Sequence, residues 1–184
     1  GMFGRRPQPN VELLFADKSL EVLENVDEDM LYPNSIDNPP ERYIKISFSL
    51  QCNNDSNVIA REMYLSCTTG STGGEYNKVR FLNYNQMDTI PAIEGQLNLI
   101  TRPELRLPPR GVLKFTNVNL ILSPFIEDDF LLDGVAGADG TAPKNFRLYI
   151  SKNKLRSFVA KALRNEEENS ILINEFFSEF LRCE

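Results

Sequence analysis

From Arg42 onward apolar and polar residues alternate one by one, and a two-residue period restricts the chain to strands. The clearest run sets Ile44, Ile46, Phe48, Leu50 and Cys52 on one face and Lys45, Ser47, Ser49 and Gln51 on the other. That is the pattern of a strand with one face on a core and one on solvent. Asn53-Asn54-Asp55-Ser56-Asn57 follows, and short polar side chains that bond their own backbone favour a turn. The next run, Val58 to Thr68, alternates again, so a hairpin with the first is expected, with Cys52 and Cys67 at neighbouring strand ends as small buried hydrophobes.

Further strands are expected at 78–84, 92–100, 111–122 and 146–151, and two more at Val11–Phe15 and Leu20–Val26, split by Asp17-Lys18. Within 111–122 the apolar phase switches from odd positions (Leu113, Phe115) to even ones (Val118, Leu120, Leu122). A β-bulge near Thr116-Asn117 accounts for the switch. Short strands joined by turns predict a mainly β fold, an antiparallel sandwich or barrel of about eight strands. After Ser151 the period becomes helical. Leu155, Phe158, Val159, Ala162 and Leu163 form one apolar stripe, and Ile173, Phe176, Phe177, Phe180 and Leu181 form a second, with Ser170 as its N-cap. The expected organisation is an N-terminal acidic arm over 1–41, a β-sandwich core over 42–151 and two C-terminal amphipathic helices over 152–184.

At 184 residues and 41% hydrophobic, the chain can bury a core without metals or disulfides. It has no histidine and three scattered cysteines. Ser-His and Cys-His nucleophile pairs, histidine-ligated zinc and a disulfide framework are thereby excluded. Neither a cofactor nor a metal site is expected. No apolar run reaches the roughly 18–20 residues of a membrane-spanning helix, and 1–7 carries no apolar leader, so an intracellular, cytoplasmic protein is expected.

Charge is arranged in blocks. From Glu12 to Glu41 nine acids face one base, a net −8, while Lys144 to Arg164 holds seven bases and no acid. Such blocks attract each other or an outside partner. Lys152, Lys154, Arg156 and Lys161 on the first helix are candidate anion-binding residues. So are Arg102, Arg106 and Arg110, held by Pro103, Pro108 and Pro109 on a stiff loop. Their possible partners are a nucleic-acid backbone or an anionic membrane surface.

Other short patterns carry less chemistry. Gly70-Ser71-Thr72-Gly73-Gly74 lacks the Lys-Ser/Thr of a phosphate loop and is expected to be a hairpin loop. Asp133 to Gly140 has three glycines, lacks the ligand spacing of a calcium loop and is expected to be a mobile loop. Ser151-Lys152-Asn153-Lys154 has the Ser-x-x-Lys spacing without its companion motifs. Tyr32-Pro33-Asn34-Ser35-Ile36 resembles the YPxxL-type linear motifs with which some viral structural proteins recruit budding machinery, isoleucine standing for the usual leucine. With the abundance of asparagine, it points to a virus-encoded protein. The leading expectation is a non-enzymatic, self-associating structural or adaptor protein, matrix-like or capsid-like. Its arm and helices would make subunit contacts, the last helix supplying Phe176, Phe177, Phe180 and Leu181 to a homo-oligomer interface, and other proteins are expected partners as well. A basic-surface nucleic-acid or membrane binder comes second and a histidine-free hydrolase third, with no catalytic residue singled out.

Overall fold

The computed structural model describes residues 7–24, 42–72, 77–82, 87–91, 97–101 and 105–183. The described residues form ten strands and two helices: β1 (Val11–Leu23), β2 (Tyr43–Asn54), β3 (Tyr64–Thr72), β4 (Lys78–Leu82), β5 (Met87–Pro91), β6 (Leu97–Thr101), β7 (Val112–Leu122), β8 (Phe130–Gly137), β9 (Lys144–Ile150), α1 (Lys152–Arg164), α2 (Asn169–Phe180) and β10 (Leu181–Cys183). All recorded pairings are antiparallel, in a four-stranded sheet of order β1-β2-β7-β4 and a six-stranded sheet of order β10-β9-β8-β3-β6-β5. The fold is therefore mainly β with two C-terminal helices, as its periodicity predicts.

Alternation sets the faces. Ile44, Ile46, Phe48, Leu50 and Cys52 of β2 are buried, and one apolar core joins them to Leu65 and Cys67 of β3, Leu132 of β8, Leu148 of β9, Leu155 of α1 and Phe176 of α2. The helices fill space between the sheets and do not extend from them. Phe177 stacks edge-on against Phe48 at 5.2 Å and lies 6.4 Å from Phe15, which itself meets Phe146 of the other sheet at 5.1 Å.

β7 carries its bulge close to the expected place. Leu50 faces Thr116 and Gln51 faces Lys114, so Phe115 is the extra residue and the apolar phase changes there. β1 holds a second bulge where two strands were expected. Ala16 pairs with Ser49 and Ser19 with Ser47, leaving Asp17 and Lys18 opposite Phe48 alone, with Asp17 at φ 54°. Residues 11–23 are thus an integral strand, so the sheet reaches into the segment expected to be an arm. Residues 1–6 and 25–41 of that segment lie outside the described residues.

Three local expectations are corrected. β2 and β3 do not form a hairpin and belong to different sheets. The buried Asn54 redirects the chain between them. Its amide donates to the carbonyls of Val58 (2.7 Å), Leu107 (3.2 Å) and Pro108 (3.2 Å), and Ala60 bridges to Leu107. Gly70 to Thr72 end β3 and are not a loop. Asp133 to Gly137 belong to β8, where the glycines make room for rings. A Cβ at Gly134 would run into the Phe146 side chain, and one at Gly137 would lie 2.6 Å from the Tyr64 hydroxyl. Among the described glycines only Gly140, at φ 77°, uses the conformational freedom of glycine for a turn.

Gly134 and Phe146 are direct cross-strand partners. Gly134→Ala is expected to lower stability by about 1–3 kcal/mol through overpacking. Combined with Phe146→Leu it should cost less than the two single changes added together, since the smaller side chain vacates the space. Urea denaturation of the four proteins in the cycle measures the coupling; strict additivity would place the cost elsewhere.

Candidate functional site

Lys152, Lys154, Arg156 and Lys161 of α1 are candidate anion-binding residues, and acids of α2 and of the loop before it pair with part of this helix. Lys154 lies 3.8 Å from Glu179, Lys161 lies 3.4 Å from Glu167 and 3.2 Å from Glu175, and Arg164 lies 3.3 Å from Glu166. The hydrogen bond to Glu175 leads in raising the Lys161 pKa above its ordinary value. Arg156 gives its Nε hydrogen to the Ile126 carbonyl at 2.9 Å. Exposed pairs of this kind contribute only about 0–1 kcal/mol each, so their main effect is on the field. Between the helices they frame a shallow groove of about 320 Å³ floored by Phe158 and Phe180.

The proline-rich loop is likewise occupied in part. Arg110 is exposed, sits at φ 58° and pairs with Asp55, while Arg106 is exposed between buried Leu105 and Leu107. Arg102 lies outside the described residues, as do Tyr32, Pro33 and Ile36 of the linear motif. The described ones among the seven expected cations divide between this loop (Arg106, Arg110) and α1 (Lys152, Lys154, Arg156, Lys161).

The aromatic stripe of α2 is internal. Phe176, Phe177 and Phe180 are 0%, 5% and 7% exposed, and Leu181 is half-buried at the start of β10. Phe176 meets Phe158 at 5.2 Å and Phe180 at 5.4 Å. Their expected place at a subunit interface is not where this fold puts them, because the gap between the helices and the two sheets consumes their apolar surface. α2 turns Ile171, Asn174, Glu175, Ser178 and Glu179 outward instead.

Two polar arrangements escaped the sequence. On the outward face of the four-stranded sheet, Ser47 donates to Asn119 Oδ1 at 2.9 Å, and the Ser49 hydroxyl lies 2.8 Å from Asn117 Oδ1 and 3.1 Å from Asp17 Oδ2. Lys114 reaches Asp17 at 2.7 Å, and its hydrogen bond is the first cause of the lowered Asp17 pKa, with that from Ser49 second. The second arrangement begins α1. Ser151 stands at the N-cap position without a side-chain cap bond, and Asp129 from the loop before β8 accepts the Lys152 backbone N–H at 2.7 Å. A carboxylate there suits the positive end of the helix dipole. Its other oxygen accepts the Tyr149 hydroxyl at 3.0 Å, which raises the phenol above its ordinary value of 10.0. Residue spacing cannot signal a cap that arrives from 23 positions away.

Among the described residues no group of three or more His, Cys, Asp or Glu is placed to hold a metal ion, and no helix is long and apolar enough to cross a membrane. Cys52 and Cys67 are buried and Cys183 is exposed. Burial pushes the Cys52 thiol up to about 12 and raises Cys67 as well, so neither is a nucleophile near neutral pH. Comparison of the chain with models of known protein families and with curated protein sequences gave no match.

Two outcomes are expected. An aromatic disulfide reagent at pH 8 should modify one thiol of the native protein, Cys183, and the other two only after denaturation; fast labelling of all three would show that the core opens. Asp129→Ala should cost about 0.5–2 kcal/mol as a lost cap. Asp129→Asn keeps an acceptor for Lys152 but removes the charge, so ultraviolet titration should show the Tyr149 pKa falling toward 10.0. The sign follows because the carboxylate opposes the phenolate and accepts from the neutral hydroxyl. An unchanged titration would remove Asp129 as the cause.

Proposed function

We propose that this chain is a non-enzymatic structural or adaptor protein that associates with itself. The observation that carries the reading is the closure of the basic helix by its own neighbour. The pairing of Lys154, Lys161 and Arg164 with Glu166, Glu167, Glu175 and Glu179 offsets three of the five bases of α1, which weakens the phosphate-binding reading. What the surface also offers is exposed apolar side chains on α2, on β9 and in the connection between β7 and β8. Ile171 in the first turn of α2 is 53% exposed, Phe125 before β8 is 49% and Tyr149 on β9 is 47%. Fully burying a large apolar side chain is worth roughly 1.5–3 kcal/mol, so covering such residues with a second copy favours association. A viral, matrix-like or capsid-like role is the narrower form of this proposal, supported by the asparagine-rich composition and the Tyr32-Pro33 motif.

Light scattering across protein concentration and salt tests it. The expected result is a mass above 21.0 kDa that salt does not reduce, because apolar contacts are not screened. Ile171→Ser, Phe125→Ser and Tyr149→Ser together should lower the mass while the melting transition stays in place. A monomer at every concentration would overturn the proposal. So would co-purifying nucleic acid released by moderate salt, which would favour the basic-surface reading.

A further inference from the structure

Across the outward face of the six-stranded sheet, four neighbouring strands bring polar side chains into one row. Arg182 of β10 stands opposite Arg147 of β9, Arg147 opposite Asp133 of β8, and Asp133 opposite Thr68 of β3. In the adjoining row Asn145 of β9 faces Val135 of β8, which faces Ser66 of β3. These side chains line a depression of about 630 Å³, within the range of small-ligand sites.

Two features separate this surface from an ordinary solvated sheet face. Like charges directly opposite each other on adjacent strands are unfavourable, and the one lining carboxylate is committed to Arg147. Asp133 accepts from Arg147 Nε at 2.8 Å and from Nη2 at 3.1 Å, a fork that fixes the guanidinium plane. Arg182 is held differently. Its Nη1 donates to the carbonyls of Ser178 at 3.3 Å and Leu181 at 2.9 Å, and it has no carboxylate partner among the described residues. The guanidinium is therefore positioned by backbone, with no carboxylate against it among the described residues. The rest of the lining mixes the hydroxyls of Ser66 and Thr68 and the Asn145 amide with apolar surface from Gly134, Val135 and Phe146.

We propose that this depression binds a small, hydroxyl-rich monocarboxylate, an acidic sugar. Its carboxylate pairs with Arg182, its hydroxyls exchange hydrogen bonds with Asp133, Asn145 and Thr68, and a C–H face rests on Val135. Two lining arginines and one lining aspartate leave a single positive charge, which matches one carboxylate. A doubly charged phosphate would instead meet Asp133. The depression shares the outward face of β9 with Tyr149 of the proposed association surface, but ligand binding is read from amide shifts and association from mass, so the failure of one proposal is distinguishable from the failure of the other.

The test is a titration of the ¹⁵N-labelled full chain followed by amide shifts, with glucuronate, glucose and inorganic phosphate as separate arms. Glucuronate should produce saturable shifts at 66–68, 133–135, 145–147 and 182, with glucose at least about tenfold weaker, since a hydrogen bond to a charged group is worth roughly 1.5–3 kcal/mol. Arg182→Gln should weaken glucuronate by a similar factor. Because Arg182 also ties down the end of α2, Asn145→Ala serves as a second variant, with a severalfold loss expected at an unchanged melting temperature. The proposal is overturned if glucuronate leaves these amides unmoved, if glucose or phosphate matches it on them, or if both variants bind as the parent does.

Discussion

Phe177 is the residue through which helix and sheets hold one another. Its ring stands against Phe48 of β2 and near Phe15 of β1, Phe15 meets Phe146 of the opposite sheet, and Phe176 continues the chain of rings into the contact between the helices. Edge-to-face pairs of this kind add about 0.5–1.5 kcal/mol beyond the apolar area they bury. The consequence is mechanical as much as energetic. Were α2 to leave, it would take with it the filling shared by both sheets, so it is a wall of the core and not an appendage. The β1 bulge serves the same cluster. Its extra residue lets Lys18 place its ammonium over the Phe177 ring, 4.7 Å from the ring centre, a cation–π contact with the ring's face.

Most of this architecture is legible in the alternation of residues, and the failures have physical causes. In β7 the switch of apolar phase between Phe115 and Val118 indicates a bulge, and a bulge is there. β1 carries the same signal: Val11, Leu13 and Phe15 are odd, Leu20 and Val22 even. The charged pair Asp17-Lys18 looks like a turn from sequence, although a bulge also brings polar residues to an edge. In β8 the glycines hide a strand whose Phe130, Leu132 and Ala136 alternate plainly. Glycine signals flexibility only when nothing large crosses over it, and here the Phe146 and Tyr64 rings do.

Charge was less legible because the window over which it is counted decides the answer. Residues 144–164 are strongly basic, yet from Lys152 to Phe180 five bases meet five acids. Two antiparallel helices joined by a short loop place those acids within reach of the bases, so the helix pair and not the single helix is the electrostatic unit. The same holds for the aromatic stripe of α2. Helical spacing shows that Phe176, Phe177 and Phe180 share a face, and only the position of the sheets shows that the face points inward.

The two outward sheet faces show why composition alone does not mark a binding surface. On the four-stranded sheet, Ser47 and Ser49 meet Asn119 and Asn117, and Asp17 meets Lys114, so polar groups are largely satisfied by one another across the strands. A ligand arriving there would have to replace hydrogen bonds that already exist, and the exchange yields little. On the six-stranded sheet the cross-strand partners are arginine beside arginine, with one carboxylate between the pair and Thr68. Arg182 there is held by backbone carbonyls with no carboxylate against it among the described residues, and under the proposed binding an incoming carboxylate gains that interaction. Capacity for binding thus follows from which polar groups the register leaves unmatched, and it is register, fixed by the bulges and by the crossing of Phe146 over Gly134, that separates the two faces.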